Sequence, residues 1–234
     1  LFTLGLPYQV TDPNSWVTSS SYDGLGRVLS STAPGFSQPT VQYTYPAPDG
    51  SGSVSAPYAM QMQILDTMPE TDIYRSVWGI YDGLGRISQN QVFDADNSNL
   101  LVTDTAYNDQ GLTYRVGEPR ALTGTGGMYG TPNWGSLNHS QSEYDRLGRL
   151  TQITAPGNIV TQSSYDGLSV TVIDPNGHKT MRDSDGLGRM SRVTEFSGEN
   201  PNWNVYATTL YTYDVADRLI RVTDDQFNTT HMAY

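Results

Sequence analysis

Polar and hydrophobic residues alternate along short stretches of this chain, which is the pattern of β-strands with one buried face. In the first such stretch, Val41, Tyr43 and Tyr45 fall on one side and polar residues lie between them. A second stretch alternates in the same way from Val205 through Ala207, Thr209 and Tyr211 to Tyr213. Helical spacing is nearly absent, and only residues 58–68 are compatible with a short helix. The pattern predicts a chain built mainly of strands.

One short motif recurs along the chain and dominates its self-similarity. It usually begins with Tyr-Asp and ends with Gly-Arg followed by a hydrophobic residue. Two weaker copies begin at Tyr107 and Tyr165. The full motif occupies five segments, at 22–28, 81–87, 144–150, 184–190 and 213–219. The sequence therefore predicts a repeat protein in which some copies are separated by insertions.

The motif has the composition of a β-hairpin tip, a type I turn closed by a residue with positive φ, which is usually Gly. In the first copy, Asp23 opens the turn and accepts a hydrogen bond from a nearby backbone N–H. Gly26 then takes the left-handed conformation, and Arg27 follows close enough to pair with Asp23. In the last copy Asp217 replaces the Gly, and Asp is one of the few residues that tolerates this conformation.

The motif residues are therefore interpreted as a structural repeat. The tyrosines are expected to pack while their hydroxyl groups find partners. The arginines could line a substrate site, but a ladder of Asp–Arg pairs explains them more simply. The predicted structural residues are Tyr22, Asp23, Gly26, Arg27, Tyr81, Asp82, Gly85, Arg86, Tyr144, Asp145, Gly148, Arg149, Asp185, Gly188, Arg189, Tyr213, Asp214 and Arg218.

Other turns lie between these tips. Residues 174–177 read Asp-Pro-Asn-Gly, a type I signature, and residues 155–158 and 33–36 fit type II turns with Gly at the position of positive φ. Frequent turns with short runs between them predict an all-β fold of repeated antiparallel hairpins in a continuous curved or spiralling sheet. After each motif Arg the hydrophobic spacing slips by one residue, as from Leu150 to Ile153. Either a bulge or a sheet covered on both sides would explain this slip.

Two stretches interrupt the repeat, at about 46–59 and 117–139. The first is rich in Pro, Gly and Ser, the second contains a Gly-rich run, and both are interpreted as surface loops, where binding function often lies. Apart from these insertions, residues 1–234 are predicted to form one repeat segment. Because the first residue is Leu1 rather than Met, we expect the chain to be a piece of a longer protein.

Composition narrows the classes of function. The net charge of -11 argues against binding to the phosphate backbone of nucleic acid. No stretch approaches the length of a membrane span, so membrane insertion is not expected. The absence of Cys excludes disulfides, thiolate catalysis and Cys-ligated zinc. Lys179 is the only lysine among 13 basic residues, which suggests that the arginines serve in fixed pairings.

Catalytic and metal-binding patterns are weak. His139, His178 and His231 are scattered and have no metal-ligand spacing. Residues 94–98 resemble the start of a calcium loop, but a polar hairpin turn is the simpler interpretation because no Glu stands at the twelfth position. We therefore predict no enzyme activity, no catalytic residue and no cofactor or metal.

The recurring Tyr-Asp-x-x-Gly-Arg motif, with Asp-Pro-Asn-Gly and Ala-Pro-Gly turns between its copies, resembles the YD-repeat or Rhs family. This family includes Rhs polymorphic toxins, the cocoon components of insecticidal toxin complexes, and teneurins. The resemblance spans nearly the whole chain. It implies a long β-sheet that spirals into a hollow shell, and in toxin members this shell encloses an effector polypeptide. Family shells are built from much longer chains, so 234 residues would form only a band of one.

The resemblance makes a structural β-shell module the first functional hypothesis. Its expected partners are further repeats of the parent chain or other copies, joined through open sheet edges, and a client toxin polypeptide. A recognition or adhesion module is the alternative, with Trp134, Tyr129 and Trp203 as the residues that would stack against a glycan. A self-assembling sheath or filament subunit is a third. The composition fits a secreted or cell-surface bacterial protein.

Overall fold

The computed structural model describes residues 5–47, 54–67, 72–94 and 99–234. The chain divides into two compact units. The first unit comprises Leu1–Ala106 and Val116–Asn138, and the second comprises Tyr107–Arg115 and His139–Tyr234. Every regular element among the described residues is a β-strand, and the strands pair antiparallel, which confirms the predicted fold of repeated antiparallel hairpins.

The first unit is a sheet whose strands follow one another in sequence order. Each strand pairs with the next through β8, and β10 then pairs with β8. The strands are β1 (Gln9–Thr11), β2 (Val17–Tyr22), β3 (Val28–Thr32), β4 (Val41–Thr44), β5 (Tyr58–Thr67), β6 (Asp72–Tyr81), β7 (Ile87–Phe93), β8 (Leu100–Tyr107) and β10 (Arg120–Leu122), with β9 (Thr113–Gly117) between the last two in the chain.

The second unit repeats this plan more regularly. From β11 to β19 each strand forms an antiparallel hairpin with the next, and β9 pairs with β11. The strands are β11 (His139–Tyr144), β12 (Leu150–Ala155), β13 (Ile159–Asp166), β14 (Ser169–Ile173), β15 (Lys179–Ser184), β16 (Met190–Glu199), β17 (Asn202–Tyr213), β18 (Leu219–Thr223) and β19 (Thr229–His231). Consecutive pairing of this kind follows directly from the short turns between the strands.

A β-bulge follows each full motif and explains the slip in hydrophobic spacing. In β12, Leu150 pairs with Tyr144 and Ile153 pairs with Ser142, so Thr151 is an extra residue. Because Tyr144 and Ser142 are two residues apart, they lie on one face, and their partners Leu150 and Ile153 share that face. The same shift occurs beside the other four motifs. Of the two explanations left open by the sequence, the bulge is the correct one.

Two interpretations of the sequence need correction, at residues 58–67 and at Val205. Residues 58–67 form β5 rather than a helix, and they pair with β6 along their whole length. Their alternation of Met and Ile with Gln has a period of two, and it is satisfied only in a strand. In β17, a register shift opposite residues 195–196 inserts one residue, Tyr206, before Ala207. Val205 therefore leaves the face that Ala207 shares with Thr209 and Tyr211.

The hydrophobic core lies in the first unit. Trp78, Ile80, Leu100 and Val102 are buried, and Phe93 packs edge-on against Trp78 with ring centroids 5.8 Å apart. These side chains share one sheet face because β6 and β8 both pair with β7. Among the described residues of the second unit, only Asp183 and Thr194 are buried, so that unit is a single layer without a core of its own.

The second predicted insertion, 117–139, is more than a surface loop. It contains strand β10, and its residues 126–130 pack on the sheet of the first unit, as described below. Of the first predicted insertion, 46–59, residues 48–53 lie outside the described part of the chain and the last two residues belong to β5. That 1–234 is one repeat segment stays a prediction.

Candidate functional site

The turn between β11 and β12 shows how the repeat motif folds, and we call this arrangement a corner. The backbone N–H of Asp145 donates to the carbonyl of Arg149 at 3.0 Å, and the N–H of Gly148 donates to the carbonyl of Asp145 at 3.1 Å. One carboxylate oxygen of Asp145 accepts from the N–H groups of Leu147 and Arg149, and the other accepts from Arg149 Nε at 2.7 Å. Gly148 has a φ of 77°. One Asp side chain thus organises the whole turn.

The same corner forms at all five full motifs. The Nε-to-carboxylate distances are 2.6–2.8 Å throughout. The residue before each Arg has positive φ, between 62° and 81°, including Asp217 in the last copy. The predicted turn conformation and the predicted Asp–Arg contacts are therefore present. The ion pairs are Asp23–Arg27, Asp82–Arg86, Asp145–Arg149, Asp185–Arg189 and Asp214–Arg218.

Four further corners have the same backbone hydrogen bonds without an Arg. The predicted turn at Asp174 and the weak copy at Asn108 are two of them, and corners at Asp12 and Asp224 were missed. At Asp174 the ring of His178 replaces the guanidinium, with Nδ1 3.0 Å from the carboxylate. At Asp224 the positive φ falls on Phe227, an unusual residue there, which hid the turn from sequence inspection.

The weak copy at Tyr165 folds differently. Asp166 pairs directly with Ser169, so the hairpin has a two-residue loop. Gly167, the first of those two residues, has a φ of 56°, as in a type II′ turn. Because Ser169 does not occupy a left-handed position, the three-residue corner is absent here.

Four of the motif arginines also contact a tyrosine farther along the chain. The guanidinium of Arg149 lies 4.3 Å from the ring centroid of Tyr165, and the hydroxyl of Tyr165 donates to the carbonyl of Leu150 at 2.8 Å. Leu150 is the residue directly after Arg149, so the tyrosine holds both the side chain and the backbone of the preceding corner. We call this pair of contacts a tyrosine link. It combines a cation–π contact with a hydrogen bond.

Tyrosine links recur through the chain. They join Arg27 to Tyr45, Arg149 to Tyr165, Arg189 to Tyr213 and Arg218 to Tyr234, with guanidinium-to-ring distances of 4.2–5.1 Å. In each case the tyrosine hydroxyl donates to the backbone carbonyl of the residue directly after the Arg. Arg189 additionally pairs with Asp217 of the next corner. The sequence predicted that the tyrosines pack but not which backbone group they bind.

The corners lower the pKa of their carboxyl groups. At Asp145 the N–H of Arg149 is the main cause, since it donates to the carboxylate and favours the charged form. At Asp185 the guanidinium of Arg189 is the main cause of the lowered pKa. At Asp174 the backbone N–H of His178 lowers the pKa in the same way. The corners are therefore built around ionised carboxylates.

The three predicted glycan-stacking residues lie in different surroundings. Tyr129 is partly exposed, and burial raises the pKa of its hydroxyl. Trp134 is half-buried in the segment that follows. Trp203 belongs to the second unit, where the ammonium of Lys179 lies 4.6 Å from its ring centroid. That ammonium takes up a face of Trp203 that a sugar would use.

A polar network fixes residues 126–130, which we call the strap, on the sheet of the first unit. Gln91 accepts from the N–H of Gly127 at 2.8 Å and donates to the carbonyl of Met128 at 2.6 Å. Gln89 accepts from the N–H of Gly130 at 3.1 Å and donates to its carbonyl at 2.8 Å. Both glutamines are fully buried. Their side-chain amides thus pair with backbone groups on the side of the strap that faces the sheet.

The network ends in a buried ion pair. Asp104, whose side chain is 1% exposed, accepts from Arg120 Nε at 2.7 Å and from Gln89. Arg120 also donates to the carbonyl of Gly130, which ties the pair to the strap. Gly126 lies against Trp78 so closely that a Cβ on it would be 2.6 Å from the indole ring. No motif predicted this network, and the glycines at 124–130 were its only sequence signal.

Metal and membrane features are limited to what the described residues show. In that part of the chain, no three acidic or His side chains come together to hold a metal ion. Of the stretch that resembles a calcium loop, residues 95–98 lie outside the described residues, and Asp94 accepts from Asn99. No helix with the length and apolarity needed to cross a bilayer occurs in residues 5–47, 54–67, 72–94 or 99–234.

Comparison with known protein families finds one match, in the most regular part of the second unit. Residues 144–179, which include the Asp145 corner and its tyrosine link, match the RHS Repeat family. The chain carries an RHS repeat. This confirms the predicted resemblance to the RHS family. Comparison with curated proteins finds no match.

The similarity to solved structures of the RHS-type fold extends beyond the matched segment. A crystal structure of TcdB2-TccC3 aligns with 93% of this chain at 18% identity, with a TM-score of 0.71, over 14% of that chain. A TcdB2-TccC3-TEV structure aligns with 94% at 15% identity, with a TM-score of 0.75, over 16% of that chain. The Tc holotoxin pore of Photorhabdus luminescens aligns with 93% at 15% identity, with a TM-score of 0.72, over 16% of that chain. This chain therefore spans a small fraction of the solved chains, and the likeness shows the fold.

Proposed function

We propose that this chain is a non-enzymatic structural module of an RHS-repeat protein, and that it forms part of a wall around a client polypeptide. The tyrosine link is the observation that carries the proposal. It ties a corner to a tyrosine farther along the chain by the same two contacts wherever it occurs, so that strands are added without a separate core. Solved structures of this fold include TcdB2-TccC3 and a Tc holotoxin pore.

The charged side chains support a structural role. The motif arginines are held by their corner carboxylates, and four of them also by tyrosine rings, which is the geometry of a scaffold. His178 is likewise engaged with the carboxylate of Asp174.

The client that we propose is a toxin polypeptide, and the setting is a secreted or cell-surface bacterial protein.

The sheet edges supply the second class of partner. Strand β19 pairs with β18, and residues 229–231 are exposed. An exposed edge strand offers backbone groups to another strand. We propose that further repeats of the parent chain, or other copies of this one, pair there. Light scattering should show association that grows with concentration, whereas a monomer at every concentration would contradict this part of the proposal.

A protease-protection assay tests the module itself. The full chain is co-expressed with an unfolded client polypeptide, and the rate at which trypsin digests the client is measured with and without the chain. We expect digestion to slow severalfold. A matched variant, Tyr165→Phe with Tyr213→Phe, keeps both rings but removes the hydroxyl groups of two links, and should protect less well. Equal digestion rates in all samples would refute the proposal.

The recognition alternative rests on the partly exposed Tyr129, which lies near Trp134 in the sequence. Glycan-array binding that is present in the natural chain and lost in Trp134→Ala would favour that alternative. If the same array is negative while the client is protected, the structural module stands.

A further inference from the structure

Two glutamines occupy equivalent positions in the two units. Gln89 and Gln152 are each the third residue after a motif Arg, namely Arg86 and Arg149. Each lies just beyond the bulge that follows its corner. Each is also paired with the residue that precedes the motif tyrosine, and pairs on its other side with a polar residue of the next strand. The repeat therefore places both amides at the same point on the same face of the sheet.

In the first unit this position binds backbone. Gln89 and its neighbour Gln91 contact the strap only through N–H and carbonyl groups of Gly127, Met128 and Gly130. The side chain of Met128 takes no part in these bonds, and this residue is 79% exposed. The sheet face therefore holds a bent, glycine-rich segment through its backbone groups, with positive φ at Gly126 and Gly127.

In the second unit the corresponding face is open. Gln152 lies between Glu143 and Gln162 in a cross-strand row, and Gln162 is exposed. With Ser164, Thr171 and Ile173, these residues line a hollow of about 290 Å³.

The amides that line the hollow have hydrogen-bonding capacity to spare. Gln162 Nε2 donates to Gln152 Oε1 at 3.1 Å, and Gln152 Nε2 donates to Thr154 Oγ1 at 3.2 Å. An amide side chain has two donors and two acceptor lone pairs, so each glutamine can make further bonds in addition to these.

We propose that this polar face of the second unit, centred on Gln152 and Gln162, binds a polypeptide segment through its backbone. The strap on the first unit supplies the pattern, in which one amide meets the N–H and carbonyl groups of a neighbouring main chain. The hydrogen bonds themselves do not depend on side chains, because every residue except Pro offers the same two backbone groups. The inference rests on the proposed function in one respect, that the client is a polypeptide. It adds the groups that would contact the client, which are the side-chain amides of Gln152 and Gln162.

Peptide binding to the full chain tests the mode of recognition. A fluorescent peptide with the sequence of residues 124–133 is titrated and its anisotropy measured, beside a scrambled peptide and one N-methylated at alternate residues. We expect the dissociation constants of the original and scrambled peptides to agree within about twofold. The N-methylated peptide should bind about tenfold more weakly, because half of its backbone N–H donors are removed. Preference for the original order over the scrambled one, or no binding by any peptide, would overturn the proposal.

A pair of variants tests the location. Gln152→Ala with Gln162→Ala should weaken peptide binding about tenfold. Ser142→Ala with Thr161→Ala is the matched control, because both residues flank Ile153 on the opposite face, and it should bind as the natural chain does. Equal weakening by both pairs, or none by the first, would contradict the assignment. Oligosaccharide binding that depends on the two glutamines, without peptide binding, would make this face a glycan site instead.

The protease-protection assay separates this inference from the proposed function. Peptide binding that depends on the two glutamines, without protection of a client, would refute the shell function and leave the contact standing. Client protection that persists without peptide binding would refute the contact and leave the shell function standing.

Discussion

The two units share their repeat chemistry but differ in how their sheets are covered. Among its described residues the first unit holds four buried hydrophobic side chains, with the strap over a polar row of Gln89, Gln91 and Asp104. The second unit has the same corners and equivalent amides, but its polar face around Gln152 is open. Corners and tyrosine links are therefore sufficient to specify the hairpins. A hydrophobic core forms only where a further segment closes over the sheet.

This difference implies two sources of stability. In the first unit, burial of side chains and a buried ion pair contribute, and both depend on contacts between residues far apart in the chain. In the second unit, the described contacts are mostly within a corner or between consecutive repeats. The variants below, in order of decreasing expected effect, should separate the two.

The largest effect is expected from Asp104→Ala. Removing a carboxylate that is 1% exposed leaves Arg120 and Gln89 without their partner, and loss of one member of a buried ion pair costs about 3–5 kcal/mol. Gln162→Ala is the control at the equivalent exposed position of the second unit, and should change the free energy of unfolding by less than about 0.5 kcal/mol. Urea denaturation measures both.

If Asp104→Ala does not fold, Asp104→Asn keeps the side-chain shape and should still be clearly destabilised. Equal losses in the Asp104 and Gln162 variants would show that the two polar rows are not covered differently.

The next effect concerns the strap. Gly126→Ala places a Cβ 2.6 Å from the Trp78 ring, and overpacking of this kind costs about 1–3 kcal/mol. Gly124→Ala is the matched control, since its φ is also positive but its Cβ meets nothing within 4 Å. Hydrogen exchange of the Gly127 and Gly130 amides should accelerate in the first variant much more than in the second. Equal acceleration would argue against close packing of the strap on Trp78.

A smaller effect is expected at a single corner. Gly188 has a φ of 80° and open space around its Cβ position, so Gly188→Ala tests backbone conformation alone. We expect a loss of about 1–2 kcal/mol in the free energy of unfolding, the cost of the left-handed conformation for a residue with a Cβ. Gly186→Ala, in the same corner with open space and ordinary φ, should not destabilise. If Gly188→Ala leaves the free energy of unfolding unchanged, the left-handed conformation at this corner is contradicted.

The smallest effect per corner is expected from acid. The pKa of Asp145 lies below its ordinary value of 3.8, mainly because of the N–H of Arg149. A lowered pKa stabilises the fold above the ordinary value, and this contribution is lost as pH falls through the folded-state pKa. Urea unfolding followed from about pH 5 to pH 2 should show declining stability. Asp145→Asn should make the decline shallower, and a flat profile in the natural chain would contradict the ionised corners.

Local structure was largely predictable because the corner is a local device. Asp23, Gly26 and Arg27 lie within five residues, and their contacts require no distant partner. The corner at Asp224 escaped prediction because Phe227 takes the left-handed position in place of Gly. The short helix with which residues 58–68 were compatible does not form at 58–67, because pairing with β6 favours the period of two that the stretch also contains.

The candidate site was less predictable because its contacts are long-range. Gln89 and Gly130 are 41 residues apart, and neither carries a motif that indicates the other. Trp134 and Tyr129 were selected for their aromatic rings, whereas the structure makes the backbone of the adjacent strap the bound group.

The sequence by itself determined the hairpins, their turn conformations and their order, since each depends on hydrogen bonds between residues close in the chain. Tertiary structure alone decided which sheet face is covered, where the core lies and which amides bind backbone. Those outcomes depend on contacts between the strap and the sheet at β7 and β8. Such contacts join residues that are distant in sequence, and no periodic pattern in the sequence predicts them.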